Sequence, residues 1–226
     1  MPVTAFGTAM LDAQNGGGGD VTINGHVARG YCSHFTQVRN DERILLDRHV
    51  RALRGDRARV LDMGCGIGRH VEELLRLAPN IQVTGIERCD AMRGHCEAWF
   101  PGQRFLADIG QVGADEKFDL VLLVGNGLGI LGGSEEAVAV GLAGLLARLS
   151  QYGILVAESA DHPDPPGFGS MRAVISHGAL TDTYDWGHAS AAWVQENIPP
   201  GWVVRSHPSG MPGQPGFFHE VRRAGR

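Results

Sequence analysis

Residues 60–70 read Val-Leu-Asp-Met-Gly-Cys-Gly-Ile-Gly-Arg-His, an apolar run that leads into three glycines at alternate positions. The apolar run is typical of a buried strand, and the residues after the glycines favour a helix. Glycine has no Cβ, so the backbone can turn sharply out of the strand. A ligand can then lie against the main chain, near the unpaired N–H groups of the helix start. The stretch therefore predicts a loop that binds a cofactor containing a nucleoside.

The spacing of these glycines distinguishes two kinds of nucleotide site. A dinucleotide-binding loop has the pattern G-x-G-x-x-G, but here the third glycine, Gly68, comes one residue early. Arg69 occupies the position that the pattern reserves for glycine. Asp62 followed by Gly64, Gly66 and Gly68 instead resembles the first motif of class I S-adenosylmethionine-dependent methyltransferases.

The resemblance implies both a fold and a cofactor. It implies a Rossmann-like, doubly wound α/β fold whose seven-stranded sheet is mostly parallel, with an antiparallel last strand. It implies S-adenosyl-L-methionine as the cofactor, bound by loop residues Asp62, Gly64, Cys65, Gly66 and Gly68. The family pattern covers about residues 58–160 well, and the two ends of the chain match it poorly.

A carboxylate after the next strand fits this interpretation. Residues 81–86 form a short apolar stretch, and Glu87 follows it nineteen residues after Gly68, close to the spacing of about twenty in such units. A carboxylate there can accept hydrogen bonds from ribose hydroxyls, with Arg88 beside it. Taken alone, Glu87 is better explained as a surface residue at a strand end, but together with the glycine loop it favours cofactor contact.

Two further strand ends provide weaker candidates. By the resemblance, Asp108 would bind the adenine amino group and Ile109 would pack on the adenine ring, although Asp is also a common turn residue. Gly125 and Asn126 follow a buried apolar run, and ligands of open α/β sheets bind beyond the carboxyl ends of the strands. We therefore expect these two residues near the transferred methyl group, with a plain turn as the alternative for Asn126.

The remaining pattern continues the alternation of helices and strands. Helical periodicity predicts crossover helices at 71–77 and 135–149, and residues 153–158 favour a fifth strand. The pattern then changes to strand-like stretches within 172–186, a short helix near 191–194 and a last strand at 217–221. This ending is similar to the closing antiparallel strand pair of the family.

The chain contains no linker rich in proline or charge that would divide it. We predict a flexible N-terminal segment at residues 1–25, which contains four consecutive glycines, and a single methyltransferase domain at 26–226.

Composition excludes several classes of partner. The net charge is −5, which argues against a surface that must neutralise many phosphates, so we expect no nucleic-acid partner. We see no secretory leader and no apolar run long enough to cross a membrane, and we expect a soluble, cytoplasmic protein without a membrane partner. The four cysteines form no C-x-x-C pair, so we expect free thiols and no bound metal.

The methyl acceptor is expected to be a small molecule, bound by the variable regions at 31–35 and 171–188. By the resemblance, Tyr31 would cover the cofactor. An alcohol acceptor would require a base, for which His34 and His188 are the candidates, although a structural or exposed histidine is the simpler interpretation of each, since the chain has ten histidines and no spacing distinguishes one. The sequence leaves the oligomeric state open, with a homodimer among the options.

The predicted function is methyl transfer from S-adenosylmethionine to a small-molecule oxygen or nitrogen acceptor, in specialised metabolism, by in-line displacement. A protein that binds the cofactor without converting it is an alternative, because a fold and a cofactor site do not prove chemistry. A nicotinamide-dependent oxidoreductase on a Rossmann fold is a second alternative, which the early Gly68 argues against.

Overall fold

The computed structural model describes residues 3–53, 57–125, 127–160, 167–210 and 215–225 of the 226-residue chain. Its helices are α1 (Ala5–Gln14), α2 (Asn40–Ala52), α3 (Arg69–Leu77), α4 (Asp90–Trp99), α5 (Gly127–Ile130), α6 (Glu135–Ala147) and α7 (Ala191–Asn197). Its strands are β1 (Val21–Ile23), β2 (His26–Ala28), β3 (Arg59–Met63), β4 (Gln82–Ile86), β5 (Arg104–Leu106), β6 (Phe118–Leu123), β7 (Leu149–Ala160), β8 (Phe168–His177), β9 (Leu180–Ala189), β10 (Trp202–Ser209) and β11 (Gly216–Arg223).

The larger sheet has the strand order β10-β11-β7-β6-β3-β4-β5. β3 to β7 run parallel to one another, and the last strand, β11, is antiparallel to both β7 and β10. The predicted Rossmann-like fold, a seven-stranded sheet with an antiparallel last strand, is therefore confirmed. Because the strand order reverses between β3 and β6, the carboxyl ends of these two strands open a crevice where ligands of such sheets bind.

Two hydrophobic clusters cover the two faces of this sheet. One contains residues of α6 and α7, with Leu142 and Trp193 packed on the strands. The other contains residues of α2 and α3, with Leu46 and Leu74 packed on the opposite face. Burial on both faces explains why β6 is a continuous apolar run rather than an alternating one, and why it was recognisable in the sequence.

A second sheet has the order β2-β1-β8-β9 and is antiparallel throughout. The strand-like stretches expected within 172–186 belong to this sheet, not to the closing strand pair of the larger one. That pair is β10 and β11, and β10 was not predicted. It is an edge strand with Pro208 near its end, and its alternating half-buried and exposed residues give only a weak apolar signal.

The described part of the N-terminal segment is folded. Thr4 accepts a hydrogen bond from the Gly7 amide and caps α1, and Ala5, Ala9 and Met10 are buried. β1 pairs with both β2 and β8, so the chain has no structural break at residue 25. We expected a flexible segment because a glycine run dominates the composition of this part of the chain. Whether residues 1–25 move, and whether 26–226 is an independent domain, stay predictions.

The four cysteines are buried and free. None of the described helices has the length and apolar character needed to cross a membrane.

Candidate functional site

The three glycines of the loop between β3 and α3 all have left-handed backbone conformations, with φ of 70° at Gly64, 58° at Gly66 and 86° at Gly68. A Cβ at Gly64 would lie 2.8 Å from the side chain of Ile130, and one at Gly68 would collide with the ring of Phe100. A Cβ at Gly66 would meet nothing within 4 Å. Packing therefore requires glycine at position 68, whereas the contact at Gly64 is with the end of an exposed side chain and Gly66 leaves open space at the surface of the loop.

Hydrogen bonds hold the loop against the end of β4. The amides of Gly64 and Cys65 donate to the Ile86 carbonyl at 2.8 and 3.0 Å, and the Gly66 amide donates to Glu87 Oε2 at 3.1 Å. Glu87 Oε1 accepts from the Cys89 amide at 2.7 Å. The carboxylate is buried, which raises the pKa of Glu87 against the opposing effect of these backbone donors. Glu87 therefore orders the glycine loop and still has lone pairs for hydroxyl donors.

Asp62 is the penultimate residue of β3 and is 1% exposed. Its Oδ2 atom is buried and accepts no hydrogen bond from the residues that the structure describes. A buried carboxylate oxygen without a partner is costly, and a cationic donor would satisfy it. The open space at Gly66, this oxygen and the Glu87 carboxylate fit a ligand that carries both an ammonium group and ribose hydroxyls, as S-adenosyl-L-methionine does.

Cys65 and Tyr31, both predicted to contact the cofactor, lie at or next to the glycine loop. The Cys65 side chain faces the sheet, because a Cβ on Gly85 would lie 2.7 Å from its Sγ atom. Only the backbone of Cys65 is therefore available to a ligand. Tyr31 is half-buried and belongs to a cluster that includes Ile67 of the loop and Cys89, with its ring centroid 5.4 Å from that of Phe35.

The adenine-binding candidates lie after β5, the strand next to β4. Asp108 is exposed and caps a 3-10 turn, since its Oδ1 accepts from the Gly110 amide at 2.7 Å. Ile109 is half-buried and packs on the core cluster. Arg88 is exposed directly after Glu87. The hydrogen bond from Gly110 supports the alternative that Asp108 forms a turn. The second carboxylate oxygen, Oδ2, can still accept a hydrogen bond from a ligand.

The expected methyl-transfer residues lie after β6. The Gly125 amide donates to Glu158 Oε2 at 2.7 Å. Asn126 lies outside the described residues.

The two base candidates lie on different elements. His34 is exposed on the 3-10 turn Cys32–Phe35, whereas His188 is buried near the end of β9. Strand alternation places His188 on the same face of β9 as Tyr184 and Trp186. Trp186 packs against Gly129 of α5. Burial raises the pKa of Tyr184 to about 12 against the effect of a hydrogen bond with Thr4, and the charge of Asp182 adds to the increase. Tyr184 packs in the same cluster as Cys89, which follows β4, so this face of β9 extends from the end of β4 to the segment after β6.

A set of ion pairs near the ends of β3 and β7 was not predicted from the sequence. Arg69 donates to both carboxylate oxygens of Glu42 at 2.7 and 2.9 Å, and Arg39 contacts Glu158 at 2.5 Å. Arg69 was noted only as the residue that breaks the dinucleotide pattern. Its partner Glu42 lies 27 positions earlier, on α2, so local sequence gave no signal for the pair.

The glycine loop, the acidic residues at successive strand ends and the sheet order define a nucleotide-binding α/β domain. A sequence model of the family described as "Methyltransferase domain" matches residues 60–148. Trans-aconitate 2-methyltransferase of Acidovorax sp. (strain JS42) is 31% identical over 128 residues, which cover 54% of this chain and 46% of that protein. The protein of the same name from Yersinia pestis (strain Pestoides F) is 29% identical over 136 residues, covering 60% of this chain and 51% of that protein. The chain thus spans about half the length of these relatives.

Solved structures show the same fold over a larger part of the chain. A SAM-dependent methyltransferase from Bacteroides fragilis, in complex with S-adenosyl-L-homocysteine, superposes with a TM-score of 0.74 at 15% identity, covering 99% of this chain and 97% of that one. CalS10, an amino pentose methyltransferase from Micromonospora echinaspora, gives a TM-score of 0.59 at 21% identity, covering 80% of this chain and 90% of that one. Residues 60–148 therefore match a methyltransferase family model, and the chain has the fold of the solved SAM-dependent methyltransferases.

Proposed function

We propose that this protein binds S-adenosyl-L-methionine and transfers its methyl group to a small-molecule acceptor. The observation that carries the proposal is the combination of open space at Gly66 with two buried carboxylates, Asp62 and Glu87, on either side of the loop. The family match over residues 60–148 supports the same reaction.

In this proposal different residues of the site bind the ammonium group, the ribose and the adenine of the cofactor. Asp62 Oδ2 accepts from the ammonium group of the ligand, and the Glu87 carboxylate accepts from the ribose hydroxyls. Asp108 and Ile109 contact the adenine, and Tyr31 covers the ligand from the start of the 3-10 turn Cys32–Phe35. The glycine loop, through Gly64, Cys65, Gly66 and Gly68, provides backbone contacts, and Arg88, Gly125 and Asn126 complete the predicted set.

When bound, the cofactor supplies a sulfonium methyl group for an in-line displacement. The chain's own residues then need to align the acceptor with that group and exclude water. The face of β9 that carries Tyr184, Trp186 and His188 is the proposed acceptor wall. It supplies aromatic surface and also the Trp186 Nε1 donor, which is buried without an acceptor among the described residues. We retain His188 and His34 as the candidate bases for an alcohol acceptor.

The acceptor is proposed to be a small molecule because aromatic walls with few polar groups suit such ligands. Known relatives methylate different acceptors, since one is named for trans-aconitate and one structural neighbour for an amino pentose. Oxygen or nitrogen methylation in specialised metabolism remains our proposal for this chain.

Calorimetric titration with S-adenosylmethionine, S-adenosylhomocysteine and NADH tests the cofactor assignment directly. We expect micromolar binding of the first two ligands and none of NADH. Binding of NADH alone would instead support an oxidoreductase. Acceptor screening with detection of S-adenosylhomocysteine then separates an enzyme from a protein that binds the cofactor without converting it.

A further inference from the structure

Six ionisable side chains form a buried charge cluster between the ends of β3 and β7: Asp62, Glu42, Glu158, Arg39, Arg69 and His70. Glu42 is 1% exposed and Glu158 is fully buried. Arg69 contacts Glu42, and Arg39 contacts both Glu42 at 3.0 Å and Glu158 at 2.5 Å. The two guanidinium groups thus compensate two of the three buried carboxylates, and the half-exposed Asp41 adds a further negative charge beside Arg39.

The third buried carboxylate, Asp62, faces an imidazole instead. His70 Nδ1 lies 3.8 Å from Asp62 Oδ1, and His70 Nε2 lies 3.7 Å from Glu42 Oε1. Among the residues that the structure describes, His70 is the only cationic side chain recorded against Asp62. A protonated His70 would therefore bring the six-residue cluster to neutrality.

Opposing influences act on the protonation of His70. Burial and the neighbouring Arg69 lower its pKa, but Asp62 and Glu42 raise it, and the net result lies above the ordinary value. Its position in the first turn of α3 also disfavours a cation, because the N-terminal end of a helix dipole is positive. The imidazolium therefore depends on the two carboxylates that it faces.

We propose that His70 is a positioning residue for the cofactor: it holds a proton while Asp62 faces no other cation, and it releases that proton when the ligand's ammonium group reaches Asp62 Oδ2. This inference rests on the proposed function. Two cations beside one buried carboxylate repel each other, and the arriving ammonium supplies the charge that His70 supplied before. The N–H bond of the imidazolium breaks, and the proton passes to buffer, so charge and atoms balance.

The proposal predicts a linkage between ligand affinity and pH. Because binding releases a proton from His70, affinity should increase as pH rises through the pKa of His70, by up to about tenfold per pH unit. The ligand's amino group is cationic below about pH 7.5, so affinities are compared in that range.

The experiment is calorimetry with S-adenosylhomocysteine at pH 6.5, where a pKa above the ordinary value keeps His70 mostly protonated, in several buffers of different ionisation enthalpy, which gives the number of protons released. The wild type is compared with His70→Asn and with the control His26→Asn, which changes an exposed histidine on β2. 5′-Methylthioadenosine, which lacks the amino-acid part, is the control ligand. We expect release of a substantial fraction of one proton by the wild type and the control variant with S-adenosylhomocysteine. We expect markedly less with His70→Asn or with methylthioadenosine.

Equal proton release by the wild type and His70→Asn would overturn the inference and leave the proposed function intact, whereas absence of S-adenosylhomocysteine binding to the wild type would overturn both. If His70→Asn does not fold, NMR titration of the wild-type imidazole replaces it. A decrease in the pKa of His70 on ligand binding supports the proposal, and an unchanged or increased pKa contradicts it.

Discussion

Replacement of Glu87 by Gln should weaken S-adenosylhomocysteine binding at least about tenfold. Glu87 Oε2 accepts from the Gly66 amide at 3.1 Å and Oε1 accepts from the Cys89 amide at 2.7 Å. The proposed ligand adds two ribose hydroxyls as donors to the same carboxylate. A carboxamide retains one acceptor oxygen, so it cannot reproduce this set of contacts.

The magnitude follows from the bonds that are lost. A hydrogen bond to a charged group contributes about 1.5–3 kcal/mol, so loss of one such bond to ribose corresponds to about a tenfold to hundredfold loss of affinity. Glu87→Ala should have a larger effect on folding, because it leaves the buried amides of Gly66 and Cys89 without an acceptor, at about 1–3 kcal/mol each.

Calorimetric dissociation constants, together with thermal unfolding of the free proteins, separate binding from folding. Glu72→Gln is the matched control, since Glu72 is exposed on α3 near the same loop and the substitution removes the same charge. We expect the control to bind within about twofold of the wild type. If a folded Glu87→Gln protein also binds within twofold, the assignment of Glu87 to the ribose hydroxyls is refuted.

Three further predictions test the loop, the ammonium contact and the buried histidine of β11. Gly66→Ala and Gly178→Ala place a methyl group at the same φ of 58° with nothing within 4 Å, so each should destabilise the fold by about 1–2 kcal/mol. Only Gly66→Ala should weaken S-adenosylhomocysteine binding, by at least about tenfold in calorimetry, and equal binding by both variants would contradict an open ligand surface at Gly66. Asp62→Ala should weaken S-adenosylhomocysteine at least about tenfold but 5′-methylthioadenosine much less, and equal losses for the two ligands would exclude the ammonium contact. Burial, with a smaller effect of His207, lowers the pKa of His219 to about 4 from 6.5, so the unfolded chain takes up this proton first as pH falls. The free energy of unfolding, measured in urea, should therefore decrease by up to about 3 kcal/mol from this group between pH 6.5 and 4. His219→Gln should make the free energy of unfolding depend less on pH in this range, and an unchanged pH dependence would contradict a lowered pKa at His219.

The central part of the fold was predictable because its signals are local. The glycine loop, the continuous apolar run of β6 and the helical periodicity of α3 and α6 each depend on residues close together in sequence. Strands buried on both faces cannot be confused with solvated segments, and a left-handed turn strongly favours glycine.

The N-terminal segment and the second sheet were not predictable in the same way. α1 is short and owes its burial to a cluster that includes Ala173 and Ile175 of β8, more than 150 residues later. β10 is an edge strand whose partner β11 decides its pairing. These elements are fixed by contacts with distant segments, so their own composition indicates little.

The sequence by itself determined the parallel part of the sheet, its glycine loop and the acidic residues at the strand ends. Their backbone conformation and pattern of burial depend on residues that are close together in sequence. Only the tertiary structure decided that Trp186 of β9 packs against α5, that Gly66 is the open position of the loop, and that Asp62, His70, Glu42 and the two arginines share one cluster. The physical reason is that charge compensation in a low-dielectric interior depends on distances of a few ångströms between residues far apart in sequence.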